Sequence, residues 1–164
     1  MSFNPTRRQV LAGLAASFYL TEATAMTRTR TETNHLVVHG AYTPTTMDIG
    51  ALEIDRWHRE RGFLQIGYHT VIRRDGTIET GRSDALIGAG VYGFNSDSFH
   101  ICLVGGKAEE GGWEANYTGL QYDALREHLR TLHYRYPNAE VLGHTDFPRV
   151  TKKCPAFDVR EWYR

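Results

Sequence analysis

The feature that most constrains the fold is a set of three metal-binding residue types placed at opposite ends of the chain. His144 and Cys154 lie in the C-terminal segment GHTDFPRVTKKCPAFD, and His39 lies about a hundred residues upstream in LVVHGAYT. Two imidazoles and one thiolate can hold Zn²⁺ and leave a fourth position for water, which is the arrangement of a catalytic zinc site. If all three bind one ion, the fold must bring the first strand against the loop near the C-terminus.

Size and composition favour one compact domain. The chain has 164 residues, of which 41% are hydrophobic and 23% are charged, and this leaves little room for a second core. The formal net charge is zero, so nucleic acid is not an expected partner. Cys102 lies in the apolar run of residues 99–104, where we expect a buried thiol rather than half of a disulfide.

The first 25 residues have the order of a secretory leader. Arg7 and Arg8 precede an apolar run over residues 10–20, which is too short for an ordinary membrane span, and residues 23–25 form an Ala-x-Ala pattern. The arginine pair indicates a twin-arginine-like signal. An uncleaved signal-arrest anchor and an N-terminal surface helix are the alternatives. Residues 26–33 are polar and predict a linker, so we expect the folded domain over residues 34–164.

The rest of the chain alternates strand and helix signals. An Asp-Gly turn at Asp75 and Gly76 predicts a hairpin, and Pro137 predicts the end of the longest helix. We expect strands over residues 35–39, 68–72, 77–80, 99–104 and 140–142, and helices over residues 48–61, 118–136 and 157–163. This order predicts an α/β fold in which a central mixed β-sheet is flanked by helices.

Most of the eight histidines need an explanation other than metal binding. His35 and His39 share a strand face but lie about 13 Å apart, so they cannot bind the same ion, and His39 is better placed at the strand end. We expect His58, among charged helix residues, to lie on a solvated face. His69 is expected to pack on the sheet face opposite to that of Tyr68. From spacing alone, the alternative to a metal site is that His39 and His144 are structural histidines with no shared function.

Four ordered blocks of the chain carry a family resemblance, namely EIDRWHRERGFLQIGYHTVIRRDGTIETGR, GFNSDSFHICLVGG, GHTDF and KKCPAFD. Over residues 34–163 the chain resembles the zinc-dependent N-acetylmuramoyl-L-alanine amidases of the phage-endolysin and peptidoglycan-recognition-protein superfamily. By position it implies that His39, His144 and Cys154 bind Zn²⁺ in a groove. It also implies that Tyr68 and Lys152 are catalytic. On the residues alone, Tyr68 is better explained as a core aromatic and Lys152 as a solvated charge.

The resemblance implies hydrolysis of the amide between N-acetylmuramic acid and L-alanine in peptidoglycan, as in a lytic endolysin. Bound zinc lowers the pKa of its water and polarises the amide carbonyl. Charge that develops on the carbonyl oxygen needs a fixed donor, which Lys152 or Tyr68 can supply. Tyr68 can instead guide a proton to the leaving amine. A non-catalytic peptidoglycan-binding module and a cysteine hydrolase with Cys154 as nucleophile are the alternative functions.

The leader and the family resemblance together predict where the protein works. We expect a monomer, exported to the periplasm or cell wall, with transient membrane association through the leader; the host cytoplasm before lysis is the alternative. The chain departs from the family at two places. Gly90 stands where many relatives carry a loop histidine, and Phe99-His100 stands where relatives often have Ile-Gly. We expect both changes at the groove wall, with the three metal ligands unchanged.

Overall fold

A five-stranded sheet with the strand order β3-β2-β4-β1-β5 forms the centre of the protein in a computed structural model, which describes residues 28–164. The order of strands and helices predicted from the sequence is confirmed. The elements are β1 (His35–Gly40), α1 (Ala51–Glu60), β2 (Thr70–Ile72), β3 (Ile78–Thr80), β4 (Ser98–Leu103), α2 (Gly119–Arg135), β5 (Glu140–Gly143) and α3 (Val159–Tyr163).

The sheet is mixed, as predicted. Strand β1 pairs in parallel with both β4 and β5, and β4 pairs in parallel with β2. Strands β2 and β3 form the predicted antiparallel hairpin. Gly76 in its turn has a φ of 86°, a left-handed conformation that glycine adopts without steric cost. The parallel strands β1 and β5 therefore end side by side, and the loops that follow them share one edge of the sheet.

One face of the sheet is covered by α2 and α3. Leu36 and Phe99 from the sheet pack with Leu125 and Leu129 of α2 in the main hydrophobic core, and all four side chains are fully buried. Thr118 begins α2 with a capping box: its hydroxyl accepts the backbone N–H of Gln121, whose side chain accepts the N–H of Thr118 in return. This face carries the apolar packing that stabilises the fold.

The opposite face is covered by α1 and by the loop over residues 88–94. Ile54 of α1 packs there with Val71, Cys102 and Val104. His39 and Cys102 are register partners on adjacent strands, so both side chains lie on this second face. The functional residues discussed below therefore lie on the face opposite to the main core.

Helix α1 begins later than the sequence predicts. Asp48 is the predicted cap, but the helix begins at Ala51 after Gly50. The Asp48 carboxylate instead accepts a hydrogen bond from the Arg73 guanidinium at 2.9 Å. The ion pair ties the segment before the helix to the hairpin. Gly62, with a φ of 89°, follows the end of the helix, as predicted.

The leader predicted over residues 1–25 lies outside the described residues, and the domain boundary at residue 34 stays a prediction. Part of the predicted linker contacts the domain. The Arg30 backbone donates to the Ala85 carbonyl at 2.7 Å, and the Arg30 guanidinium lies 5.3 Å from the centre of the Phe99 ring. Between residues 28 and 164, no helix has both the length and the apolar character needed to cross a membrane.

Candidate metal centre

Two neighbouring parallel strands deliver the two candidate histidine ligands. Val38 of β1 is the register partner of Gly143 of β5, so the next residues, His39 and His144, lie at the same level. Their ring centroids are 4.7 Å apart. Because both strands run in the same direction, both histidines lie at the carboxyl end of the sheet, where the strands of α/β proteins commonly place ligands.

The third candidate ligand is brought to this edge by the loop that follows β5. The Thr145 backbone donates to the Cys154 carbonyl at 2.9 Å, and the Thr145 hydroxyl donates to the same carbonyl at 2.8 Å. The loop thus folds back beside β1, where the Gly40 backbone N–H donates to Cys154 Sγ at 3.2 Å. The candidate ligand atoms of His39, His144 and Cys154 all lie within 4.8 Å of one another.

Burial sets the protonation states of the three groups. It lowers the pKa of His39 well below the usual value, and it also lowers the pKa of His144, with the Lys152 ammonium as the second cause. Both imidazoles are therefore neutral near pH 7 and offer lone pairs. Burial raises the pKa of the Cys154 thiol to about 11, although the Gly40 N–H and Lys152 act in the opposite direction. Without a cation the sulfur keeps its proton at neutral pH.

The three candidate ligands lie beside an open cavity of about 130 Å³, which we call the site cavity. Tyr68 and Lys152 both line it, so the structure places all the residues singled out from sequence at one location. Burial raises the pKa of Tyr68 well above its usual value, so the side chain is a phenol. The cavity is lined by Gly40, Ala41, Tyr42, Ile54, Trp57, His58, Arg61, Tyr68, Trp113, His144, Lys152 and Cys154.

His58 is a residue for which the sequence prediction was wrong. It was expected on a solvated face, but it is only 4% exposed and lines the site cavity. Its Nδ1 accepts the Gly67 backbone N–H at 2.8 Å, and its ring lies 5.3 Å from that of Tyr68. Burial lowers its pKa to about 4, so the ring is neutral and carries its proton on Nε2.

The expectation that both departures lie at the groove wall is wrong for Phe99 and His100, because both side chains are fully buried. For Gly90, which is part-buried, it stays a prediction. Neither Gly90 nor His100 lines the site cavity. His100 is fully buried on the sheet face that carries His39, and its Nδ1 lies 3.1 Å from His39 Nε2. His69 is fully buried as predicted, and it accepts the His100 backbone N–H on Nδ1.

Comparisons with known proteins agree with this geometry. Residues 29–157 match the model of the family described as N-acetylmuramoyl-L-alanine amidase. The chain is 46% identical over 134 residues to an endolysin of Klebsiella phage KP32, with 82% of this chain and 87% of the relative covered. It is 39% identical over 134 residues to an endolysin of Escherichia phage T7, with the same coverage.

Comparison with a solved structure extends the similarity from the sequence to the fold. The N-acetylmuramoyl-L-alanine amidase LysC from Clostridium intestinale superposes with a TM-score of 0.65 at 29% identity. The superposition covers 77% of this chain and 78% of LysC. With the family match and the endolysin relatives, it shows that the chain belongs to the N-acetylmuramoyl-L-alanine amidase family.

Proposed function

We propose that this chain cuts the amide between the lactyl group of N-acetylmuramic acid and L-alanine in peptidoglycan, with Zn²⁺ held by His39, His144 and Cys154. The enzyme class, an N-acetylmuramoyl-L-alanine amidase, follows from the family. The observation that carries the zinc proposal is the convergence of the three candidate ligand atoms within 4.8 Å at an open cavity.

The donor set fits zinc. Ligands at about 2.0–2.3 Å from a shared tetrahedral ion lie less than about 4 Å apart, so groups already within 4.8 Å need only a small adjustment. Nitrogen and sulfur donors with no carboxylate select zinc over magnesium or calcium. Three protein ligands beside a cavity also leave room for water, as in catalytic zinc sites. When bound, zinc supplies Lewis acidity and an activated water.

Tyr68 and Lys152 are the proposed catalytic side chains. Each lines the site cavity and can donate a hydrogen bond, Tyr68 from its phenol, whose pKa is raised by burial, and Lys152 from its terminal nitrogen. Either donor can stabilise negative charge that develops on the amide carbonyl oxygen as the tetrahedral intermediate forms. Tyr68 can also pass its proton toward the leaving amine. The adjacent Lys153 lines a separate cavity and is assigned no part in the reaction.

Aromatic side chains around the site cavity suit a glycopeptide substrate. Tyr42 and Trp113 pack against each other with ring centroids 4.7 Å apart, and Trp57 lines the same cavity. Such rings present apolar surface to the sugar and stem peptide while the polar groups fix the amide. The relatives named endolysin support a lytic role at the cell wall. Export by the leader, transient membrane association and a monomeric state stay predictions.

The cysteine-hydrolase alternative is disfavoured by the environment of Cys154. A nucleophilic cysteine needs a lowered pKa, whereas burial raises the pKa of this thiol to about 11. A divalent cation removes the difficulty because it deprotonates a coordinating thiol. The non-catalytic binding module is the second alternative. It requires no cation, yet the three residues converge as a complete set of ligands.

The test combines metal analysis with product analysis. The purified protein is expected to contain one zinc per chain, to lose murein hydrolysis on chelation and to regain it with added Zn²⁺. Mass analysis of digested murein should detect new L-alanine amino termini. New reducing sugar ends would instead identify a glycosidase, and chelator-resistant hydrolysis would reject the zinc mechanism.

A further inference from the structure

His100 contacts one of the two ring nitrogens of His39, and this contact keeps that nitrogen from binding a cation. It lies in the middle of β4, is fully buried, and its Nδ1 is 3.1 Å from His39 Nε2. The two residues are diagonal neighbours on adjacent strands, because the register partner of His100 is Val37. Since Nε2 of His39 is engaged in this contact, Nδ1 is the atom of His39 left to bind a metal ion.

The direction of this hydrogen bond decides whether His39 can be a ligand. A neutral imidazole carries one N–H, and a single proton must lie between the two facing nitrogens. If His100 donates it, His39 carries its own proton on Nδ1 and offers no lone pair there. If His39 donates it, Nδ1 of His39 is bare and can bind a cation. Metal binding at Nδ1 thus requires His100 to be the acceptor.

The surrounding backbone holds the His100 ring with Nδ1 facing His39. A Cβ atom on Gly90 would lie 2.7 Å from His100 Nδ1 and 2.9 Å from His39 Nε2, so only glycine leaves room for the pair. A Cβ atom on Gly88 would lie even closer to Cδ2, at the opposite edge of the ring. His69 stacks against it with centroids 5.7 Å apart and an interplanar angle of 15°. A flip of the ring would point a carbon at His39.

The glycine loop that confines the ring is itself fixed by hydrogen bonds. The Asn95 side-chain oxygen accepts the backbone N–H groups of Gly90 at 2.9 Å and Val91 at 2.8 Å. The Ala89 backbone donates to the Gly67 carbonyl at 3.0 Å. The position of the loop over His100 is therefore set by contacts on both of its sides.

His100 also retains an unsatisfied polar atom. Its Nε2 is buried and has no hydrogen-bond partner among the described residues. In the accepting tautomer this atom carries the N–H, and a buried donor without a partner is unfavourable for folding. An apolar residue at this fully buried place in β4 would avoid that penalty. Within residues 28–164, the contact with His39 is the one side-chain hydrogen bond that the His100 ring makes.

We propose that His100 is a positioning residue for the metal ligand His39: its Nδ1 accepts the His39 Nε2–H and fixes the tautomer that presents Nδ1 to the cation. Gly88 and Gly90 are the positions that leave space for this imidazole. The inference rests on the proposed function, because it assumes that His39 binds a metal ion. It adds a residue that touches neither the substrate nor the ion.

The test compares two substitutions in the full chain. Loss of a hydrogen-bond partner of a metal-binding histidine typically costs 10–100-fold in metal affinity, so His100→Leu should weaken Zn²⁺ binding by about that factor. His100→Asn keeps an acceptor oxygen near the place of Nδ1 and should stay within about threefold of the parent. Affinity is measured by competition with a chromogenic chelator, and thermal unfolding of the zinc-free proteins verifies that each is folded.

Two controls separate the hydrogen bond from general packing. His128→Leu removes another histidine, one that contacts Thr70 at 3.2 Å away from the candidate ligands, and it should leave zinc affinity unchanged. If His100→Leu does not fold, Gly90→Ala takes its place, because its Cβ displaces the same imidazole pair. Gly119→Ala, where a Cβ meets nothing within 4 Å, is the matched control for Gly90→Ala.

Each result supports or overturns the inference. Weak zinc binding by His100→Leu or Gly90→Ala, with recovery in His100→Asn, supports it. A folded His100→Leu that binds zinc as tightly as the parent overturns it, as does an Asn variant as weak as the Leu variant. Where Gly90→Ala stands in for an unfolded His100→Leu, unchanged zinc affinity overturns it too. A parent protein that binds no zinc would reject the proposed function instead, so the two failures are distinguishable.

Discussion

The two buried cysteines give a matched pair for measuring what zinc contributes to stability. Cys154 is 3% exposed and belongs to the candidate ligand set, whereas Cys102 is fully buried in β4 and does not. A ligand that binds only the folded state adds about 4.1 kcal/mol when its free concentration is a thousand times Kd. For a domain of this size, that is a rise of roughly 8–16 °C in Tm.

We expect Cys154→Ser to lose most of the zinc-induced rise in Tm, because an uncharged hydroxyl replaces the thiolate. Cys102→Ala should lower the free energy of unfolding by about 1–2 kcal/mol through lost packing, but the rise in Tm on adding zinc should match that of the parent. The assay is thermal unfolding of each protein with chelator and over a series of free Zn²⁺ concentrations. A full zinc-induced rise in Cys154→Ser, or its loss in Cys102→Ala, would refute the assignment of the thiolate.

Three further predictions follow from the site cavity and the buried histidines. Tyr68→Phe should lower kcat by about 10²–10³-fold with zinc content unchanged, as measured by murein turbidity and metal analysis; full activity would exclude a catalytic phenol. Lys152→Met should lower kcat by a similar factor while Lys153→Met, in the separate cavity, leaves it intact. Burial lowers the pKa of His58 and His69 to about 4, below the unfolded value of 6.5, so the unfolded state binds more protons between these values. The free energy of unfolding of the zinc-free protein should therefore fall as the pH drops from 6.5 to 4, by up to about 3 kcal/mol from His69 and by a smaller amount from His58, where solvent screens part of the effect. Denaturant titrations that show no such fall would contradict the burial of these rings.

The convergence of the candidate ligands was predictable because it depends on strand direction and family pattern. Residues that follow neighbouring parallel strands meet at one edge of the sheet, and His39 and His144 both come at the ends of apolar runs. Cys154 was harder to place from periodicity, because its position depends on hydrogen bonds from Thr145 in an irregular loop. The family resemblance placed Cys154 beside the two histidines, because it rests on whole sequence blocks and not on local secondary-structure propensity.

The burial of His58 was missed although the sequence contains a signal for it. The neighbours Arg56, Arg59, Glu60 and Arg61 favoured a solvated face, but composition does not define a helix face. His58 lies four residues after Ile54 and seven after Ala51, a spacing that places all three on one side of a helix. Those three residues are the buried ones in α1, so periodicity would have predicted the correct side.

Gly90 and His100 look like two independent departures in the sequence, but in the structure they are in contact, and we expect their energies to be coupled. Gly90→Ala should destabilise the parent because its Cβ would lie 2.7 Å from His100 Nδ1. In a His100→Ala background the ring is absent, so the same change should cost less. Residues in direct contact typically show coupling energies of about 0.5–3 kcal/mol in a double-mutant cycle, measured here by denaturant unfolding of the zinc-free proteins. Additive effects of the two substitutions would mean that the loop moves freely away from the ring. The close fit of Gly90 to the His100 imidazole would then contribute nothing to the free energy of unfolding.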